Sequence, residues 1–168
     1  MQEIRLTPTS YIVLGLLELA GESTPYGLKQ LVARSVGYFW TLQHAQLYTE
    51  PARLAEAGYV TEKREQSGRR RKLYSLTEGG REALEEWRTE STAGLAELRE
   101  PALLKLFFGA DPKALAAAQI PANRARLAEY EEIRDSMPHD LPAGPRQSLE
   151  MGIRFVRARI AVWEELAE

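Results

Sequence analysis

The sequence contains no cysteine and only two histidines, His44 and His139. Without cysteine the chain has no disulfides, no thiolate nucleophile and no cysteine zinc site. A histidine centre would need both residues, which are far apart, and His139 sits in a proline-rich stretch where we expect no role. We find no nucleophile paired with a base, no phosphate-binding glycine loop and no metal-ligand spacing. We therefore expect no enzymatic activity, no catalytic residue, no metal and no cofactor.

Long hydrophobic runs are also missing. The most apolar stretch, residues 11–20, is interrupted by Glu18 and is shorter than the roughly 18 apolar residues of a membrane span. The first ten residues, MQEIRLTPTS, lack the apolar centre of a signal peptide. We therefore expect a cytosolic protein with no membrane partner.

The net charge is small, −2 at pH 7, so the distribution of charge is more informative than its sum. Residues 63–72, KREQSGRRRK, hold six basic side chains and one acidic one, a local charge of +5. Strand-forming residues flank this segment at 59–64 and 72–76, and Gln66-Ser67-Gly68 supplies a turn between them. The pattern predicts a β-hairpin with arginines at its tip.

Helical patterns account for the rest of the first ninety residues. We predict helices over about 9–19, from 25 to near Gly37, and over 42–57, with Thr7 or Thr9 capping the first and Gly58 ending the third. Thr77 is expected to cap a long helix that continues to about residue 99. The apolar face predicted for this long helix comprises Leu84, Trp87, Ser91, Leu95 and Leu98.

The remainder of the chain is predicted to be helical. A short apolar helix over 101–108 should end at Gly109, and a longer one should run from Asp111-Pro112 toward Met137, kinked or divided by Pro121. The composition of residues 137–145 predicts a loop. The last helix, about 146–166, carries one apolar face, which includes Ile153, Val156, Ile160 and Trp163.

Three short helices followed by a hairpin are typical of a winged helix-turn-helix. The third helix has apolar Leu47 and Leu54 on one side, as a recognition helix that packs on a core requires. Its start offers side chains suited to hydrogen-bond base edges in a groove: Gln43, His44, Gln46, Tyr48 and Thr49. The hairpin would act as the wing, with cations along phosphates or in the minor groove: Arg69, Arg70, Arg71 and Lys72.

These residues also carry a family resemblance. LTPTSYIVLGLLELAGESTPYGLKQLV, LQHAQLYTEPARLAEAGYV and RRRKLYSLTEGGREAL resemble successive segments of PadR-family transcriptional regulators. The later LLKLFFG and MGIRFVRARIAVWEELA resemble the longer helical C-terminal domain of that family. The resemblance implies that Tyr48 and Arg53 are recognition-helix positions and that residues 68–72 form the wing tip. It also implies a homodimer that represses neighbouring genes until a small molecule or a stress signal intervenes.

Pro51 departs from the family pattern, in which an ordinary helix former is usual at this position. A proline inside a helix removes one backbone hydrogen bond. We therefore expect either a kinked recognition helix or a distorted first turn that presents Gln46 to Thr49.

The expected fold is mainly α with one β-hairpin: a winged helix-turn-helix over residues 1–90, then a helical dimerisation domain over 91–168. A twofold dimer would read a pseudo-palindromic operator in double-stranded DNA. The alternative is a winged helix that serves as a protein-interaction module without DNA binding. Trp40 either braces the turn before the recognition helix or contacts a ligand. The apolar helix faces give the predicted dimer contacts: Trp87, Leu95, Leu98, Ile153, Val156, Ile160 and Trp163.

Overall fold

The computed structural model describes residues 4–65 and 70–168. These residues form two compact units, one that ends at Ala93 and one that begins at Gly94. The chain is mainly helical with one antiparallel hairpin, which confirms the predicted fold class. The elements in order are α1 (Pro8–Ala20), α2 (Pro25–Ala33), a 3-10 turn (Val36–Tyr38), α3 (Gln46–Glu56), β1 (Val60–Arg64), β2 (Lys72–Leu76), α4 (Glu78–Thr89), α5 (Pro101–Phe107), α6 (Pro112–Ser136) and α7 (Ala143–Ala167).

Threonine side chains set where three helices of the first unit begin. Thr7 and Ser10 bond reciprocally to each other's backbone N–H, which forms a capping box at the start of α1. Thr24 and Thr77 accept a backbone N–H of the first turn of α2 and α4, respectively. The predicted helix starts near residues 9, 25 and 78 are therefore confirmed.

The hairpin is held to the helices through its second strand. Val60 pairs with Leu76, and the register continues to Arg64 opposite Lys72. Tyr74, in the middle of β2, exchanges both backbone hydrogen bonds with Ser23 in the loop between α1 and α2. This additional bridge anchors the base of the hairpin.

One apolar core binds the three N-terminal helices, the hairpin and α4 together. It draws on all of these elements, and α1 is buried most completely because four of its apolar residues are covered. Burial of such side chains contributes roughly 1.5–3 kcal/mol each. The buried members of this core are Val13, Leu14, Leu16, Leu17, Leu28, Val32, Leu47, Leu54, Val60, Tyr74 and Leu84.

The predicted extension of α4 to residue 99 is wrong. The helix ends at Thr89, Glu90 is extended, and residues 91–100 contain no helix or strand. The sequence at this point contains Ser91, Thr92 and Gly94, all weaker helix formers than alanine or leucine. Leu95 and Leu98, predicted as dimer contacts on this helix, lie instead in the non-helical segment and are 99% and 66% exposed.

The second unit is built on the antiparallel pair α6 and α7. Two ion pairs join the helices: Arg124 to Glu164 at 2.6 Å and Arg157 to Glu131 at 2.7 Å. α6 continues through Pro121, so this proline does not divide the helix, whereas the alternative, a kink at Pro121, stays a prediction. Its alanine-rich first turns are strong helix formers, which favours continuation. Of the helices described, none has the length and apolar character needed to cross a membrane.

The apolar face of α7 is buried by other residues of the same chain. Ile153, Val156, Ile160 and Trp163 are all at most 9% exposed, and Trp163 packs in a cluster with Ala102 of α5 and others from α6. These four residues therefore leave little surface for a second copy of the chain, and their predicted role as dimer contacts stays a prediction. A helical period identifies an apolar face but does not say whether the same chain or a second copy covers it.

Candidate nucleic-acid interface

α3 presents a polar edge to solvent because its opposite edge is locked into the core. Leu47 and Leu54 are fully buried, whereas Gln46, Tyr48 and Thr49 are exposed. Tyr48 is 48% exposed, so its ring is available to a partner and is not a core residue. Three of the residues predicted to read bases thus share the exposed part of the first turn of α3.

The first turn of α3 is tighter than a regular α-helical turn. Gln43 and His44 precede the helix and are exposed, and their carbonyls accept the N–H groups of Gln46 at 3.0 Å and Leu47 at 3.2 Å. These are bonds to the third residue back, as in a 3-10 helix. α3 continues through Pro51, whose side chain is buried. Bonds of this kind are common at helix N-termini, so both expectations from Pro51, a kinked helix and a distorted first turn, stay predictions.

Arg53 is engaged inside the protein. Its Nε and Nη2 donate to the two carboxylate oxygens of Glu50 at 2.9 and 2.6 Å, and Nη2 also donates to Ser10 Oγ at 3.0 Å. Nη1 donates to the carbonyl of Arg5 at 3.3 Å. These bonds join α3 to α1, so the guanidinium fixes the position of α3 against α1. The predicted contact of Arg53 with DNA stays a prediction, since most of its donors already have partners.

Glu50 is a buried carboxylate at the centre of this network. The Ser10 hydroxyl donates to Glu50 Oε1 at 2.5 Å. Burial by itself raises the pKa of Glu50, but the hydrogen bonds from Arg53 and Ser10 and the charge of Arg53 outweigh it, so the pKa is lowered. Glu50 is therefore ionised at neutral pH. Sequence reasoning missed this network because Ser10 and Glu50 are 40 residues apart.

The wing carries its cations close to acidic partners. Arg71 donates from Nε and Nη2 to both carboxylate oxygens of Glu65, at 3.0 and 2.9 Å. Arg70 is exposed with a positive φ of 47°, and among the described residues it has no ion pair. Arg69, also predicted as a wing residue, lies outside the described residues.

Glu62 is the second acidic partner in the wing. Lys72 Nζ and the buried Tyr74 hydroxyl both donate to Glu62 Oε2 at 2.9 Å, and Arg64 Nε lies 3.5 Å from Oε1. The hydrogen bonds from Lys72 and Tyr74 lower the pKa of Glu62 despite some desolvation. Burial and the bond to Glu62 raise the pKa of Tyr74 to about 12. The antiparallel pairing of residue 62 with residue 74 was the available signal for this cluster.

The exposed aromatic residues have mixed surroundings. Trp87, predicted as a dimer contact, stacks on Tyr11 of α1 with 4.7 Å between ring centroids and 9° between planes. It nevertheless remains 43% exposed. Trp40 is 45% exposed, and its backbone N–H closes the turn onto the carbonyl of Val36 at 2.8 Å. Both proposed roles of Trp40, bracing the turn and contacting a ligand, stay predictions.

The first unit matches a known family by sequence. Residues 13–86 match the model of the transcriptional regulator PadR-like family. The negative transcriptional regulator PadR of Bacillus subtilis (strain 168) is 29% identical over 100 residues, which cover 58% of this chain and 54% of that protein. The match therefore spans about half the length of this curated relative.

The fold is similar to solved structures over nearly the whole chain. Bacillus subtilis PadR in complex with operator DNA superimposes with a TM-score of 0.82 at 22% identity, and 98% of each chain is covered. The structure of the same regulator in complex with p-coumaric acid gives a TM-score of 0.77 at 22% identity, with 97% of each chain covered. The likeness includes the helices of the second unit as well as the winged helix.

Proposed function

We propose that this chain, whose winged helix matches the PadR-like family of transcriptional regulators, is a cytoplasmic homodimeric repressor that binds a pseudo-palindromic operator. The observation that carries the proposal is the joint display, on one unit, of the polar edge of α3 and the basic wing. The first provides hydrogen-bonding groups for base edges, and the second provides cations for phosphates. Two such units related by a twofold axis would read two half-sites.

Selection from a randomised duplex library tests the sequence-reading part of the proposal. We expect the wild type to enrich a pseudo-palindromic sequence, and we expect Gln46→Ala and Thr49→Ala to change the preferred bases. Gln147→Ala, an exposed glutamine in α7, is the matched control and should select the wild-type sequence. Enrichment of no sequence by the wild type would refute the proposed function. Unchanged selection by both α3 variants would refute only the assignment of these base contacts.

The second unit supplies a surface for dimerisation. Met151, Phe155 and Val162 are 56%, 58% and 52% exposed, and their spacing of four and seven residues places them on one stripe of α7. The stripe lies away from the face that α7 buries within the chain. Exposed apolar surface of this kind marks interaction sites. We take a second copy of the chain as the partner, because two recognition helices are needed to read two half-sites.

A substitution within this stripe tests the dimer. Phe155→Glu should shift the chain from dimer to monomer in sedimentation equilibrium, because a carboxylate cannot be buried there without a partner. Ala161→Glu adds the same charge at an exposed position about 100° around the helix from Val162. This control should remain dimeric. A monomeric wild type, or a dimer that Phe155→Glu leaves intact, would contradict the proposed interface.

Release from DNA by a small molecule completes the proposed function. Support comes from the relative whose structure contains p-coumaric acid and which is described as a negative regulator. We expect a phenolic acid of this type to raise the melting temperature of the protein and to weaken its binding to the selected duplex. If p-coumaric acid and related aromatic acids alter neither quantity, this class of effector is excluded.

A further inference from the structure

Two of the wing cations are already bound by carboxylates across the hairpin. The Arg71 fork is bidentate on Glu65, and Lys72 Nζ bonds to Glu62. The side chains of Glu65 and Glu62 are 25% and 24% exposed, whereas those of Arg71 and Lys72 are 63% and 40% exposed. The cations thus face solvent more than their carboxylate partners do.

The hairpin itself holds both carboxylates in place. The backbone N–H of Glu65 donates to the carbonyl of Arg71 at 3.1 Å, which extends the ladder by one bond beyond the strands. The Tyr74 hydroxyl, fixed in the core, donates to Glu62 at 2.9 Å. Each acidic group therefore stands opposite its cation through backbone geometry or a buried anchor, and not through the meeting of two mobile side chains.

A phosphate and the carboxylates compete for the same two cations. Paired N–H groups of an arginine bind a carboxylate and a phosphate in the same planar, two-pronged geometry. A DNA phosphate can take the Nε and Nη2 donors of Arg71 only by displacing Glu65. A phosphate that binds at Nη1 instead would lie near the Glu65 carboxylate, which carries a like charge. In the same way, a phosphate that binds Nζ of Lys72 has to displace Glu62 or lie beside its negative charge.

Resting on the DNA-binding function proposed above, we propose that Glu65 and Glu62 are intramolecular competitors of DNA phosphate, which hold Arg71 and Lys72 and thereby lower DNA affinity. Non-specific affinity comes almost entirely from phosphate contacts. The two carboxylates would therefore weaken binding to arbitrary DNA, where the phosphate contacts supply nearly all of the affinity, and would remove a smaller share of the affinity for the operator, whose base contacts add to the phosphate contacts.

Fluorescence anisotropy of a labelled duplex of arbitrary sequence, titrated with protein between roughly 50 and 200 mM salt, measures the competition between the carboxylates and phosphate. Glu65→Gln should tighten binding about fivefold at the lowest salt, the size expected when the released Arg71 charge lies about 4 Å from a phosphate in water. The log–log salt slope should steepen by roughly 0.9 for each additional phosphate that the variant neutralises. Glu62→Gln should act in the same direction.

Two controls separate this effect from a general change of charge. Glu97→Gln removes the same charge from an exposed ion pair with Arg99 in the second unit, and it should bind like the wild type. In an Arg71→Gln background, Glu65→Gln should have no further effect if it acts by releasing Arg71. Because exposed ion pairs stabilise a fold little, the melting temperatures of the Glu65 variants should equal that of the wild type.

The possible outcomes separate the inference from the proposed function. If the wild type does not bind the duplex even at the lowest salt, both are refuted. If the wild type binds and Glu65→Gln binds no tighter than Glu97→Gln, only the competition by Glu65 is refuted. A tightening that persists in the Arg71→Gln background also refutes it, because Glu65 would then repel DNA directly without holding the arginine.

Discussion

Removal of Arg53 should destabilise the protein although the residue is partly exposed. Arg53→Ala deletes three hydrogen bonds to Glu50 and Ser10 and leaves the Glu50 carboxylate, only 9% exposed, with Ser10 as its remaining side-chain donor. Loss of one partner of a fully buried ion pair costs about 3–5 kcal/mol. The Arg53 side chain is 36% exposed, so solvent screens the pair and the expected loss is about 1–2 kcal/mol.

Thermal unfolding measures this loss. A chain of this size should lose about 2–4 °C in melting temperature per kcal/mol, so Arg53→Ala should melt roughly 2–8 °C below the wild type. Arg81→Ala removes an arginine from an exposed pair with Glu78 on α4 and should change stability by less than about 0.5 kcal/mol. A double variant, Glu50→Leu with Arg53→Leu, should recover most of the stability, because no buried charge is left without a partner.

The pH dependence of stability is a second test of the ion pair between Arg53 and Glu50. The pKa of Glu50 is lowered in the folded protein, so its stabilising contribution is present above its unfolded pKa, near 4.5, and is lost as the pH falls through its folded pKa. In Arg53→Ala, burial without the guanidinium should raise this pKa, and the carboxyl should take up a proton at a higher pH. The difference in unfolding free energy between the wild type and Arg53→Ala should therefore be largest at pH 7 and smaller at pH 4. A gap that is equal at both values, or absent at pH 7, would refute the role assigned to the network.

Three further substitutions test packing within the first unit. A Cβ on Gly80 would lie 2.2 Å from the carbonyl oxygen of Tyr59, so Gly80→Ala should cost about 2–3 kcal/mol in chemical denaturation. Gly15→Ala meets nothing within 4 Å and should stabilise α1 by roughly 0.5–1 kcal/mol; equal effects would contradict the packing. Trp87→Ala removes the stack on Tyr11 and should cost at least about 0.5–1.5 kcal/mol, whereas unchanged stability would show that the stack contributes nothing.

Local signals predicted most of the first unit. Thr7, Thr24 and Thr77 are capping residues whose effect extends over one turn, and the hairpin is encoded by alternation and a turn of adjacent residues. A helix start or a hairpin is decided within a few residues. These elements could therefore be located without knowledge of the rest of the fold.

Features that depend on the partner of a side chain were not predictable in the same way. Leu95 and Leu98 fit the helical period, but Ser91, Thr92 and Gly94 are weak helix formers, and the helix ends before Leu95. The face of Ile153 and Trp163 was recognised as apolar, but only the packed structure shows that the same chain covers it.

The candidate interface likewise contains features that local sequence predicted and features that depend on the partner of a side chain. The positions of Gln46 and Thr49 on an exposed helix edge follow from the burial of the leucines between and beyond them. The carboxylates that hold the wing cations were not recognised, because a count of charge along the sequence does not pair Glu62 with Lys72 across the hairpin. The segment predicted to carry +5 therefore presents fewer unpaired cations than its sequence indicates.

The salt dependence of DNA binding decides whether the hairpin is a DNA-binding wing. Wild-type protein should bind the selected duplex with a steep log–log salt slope, and Arg70→Ala combined with Arg71→Ala should weaken binding to all sequences. The slope of the double variant should be shallower by roughly 0.9 for each phosphate that it no longer neutralises, while its preferred sequence stays the same. A double variant with the wild-type slope would contradict the assignment of the hairpin as a wing that binds DNA.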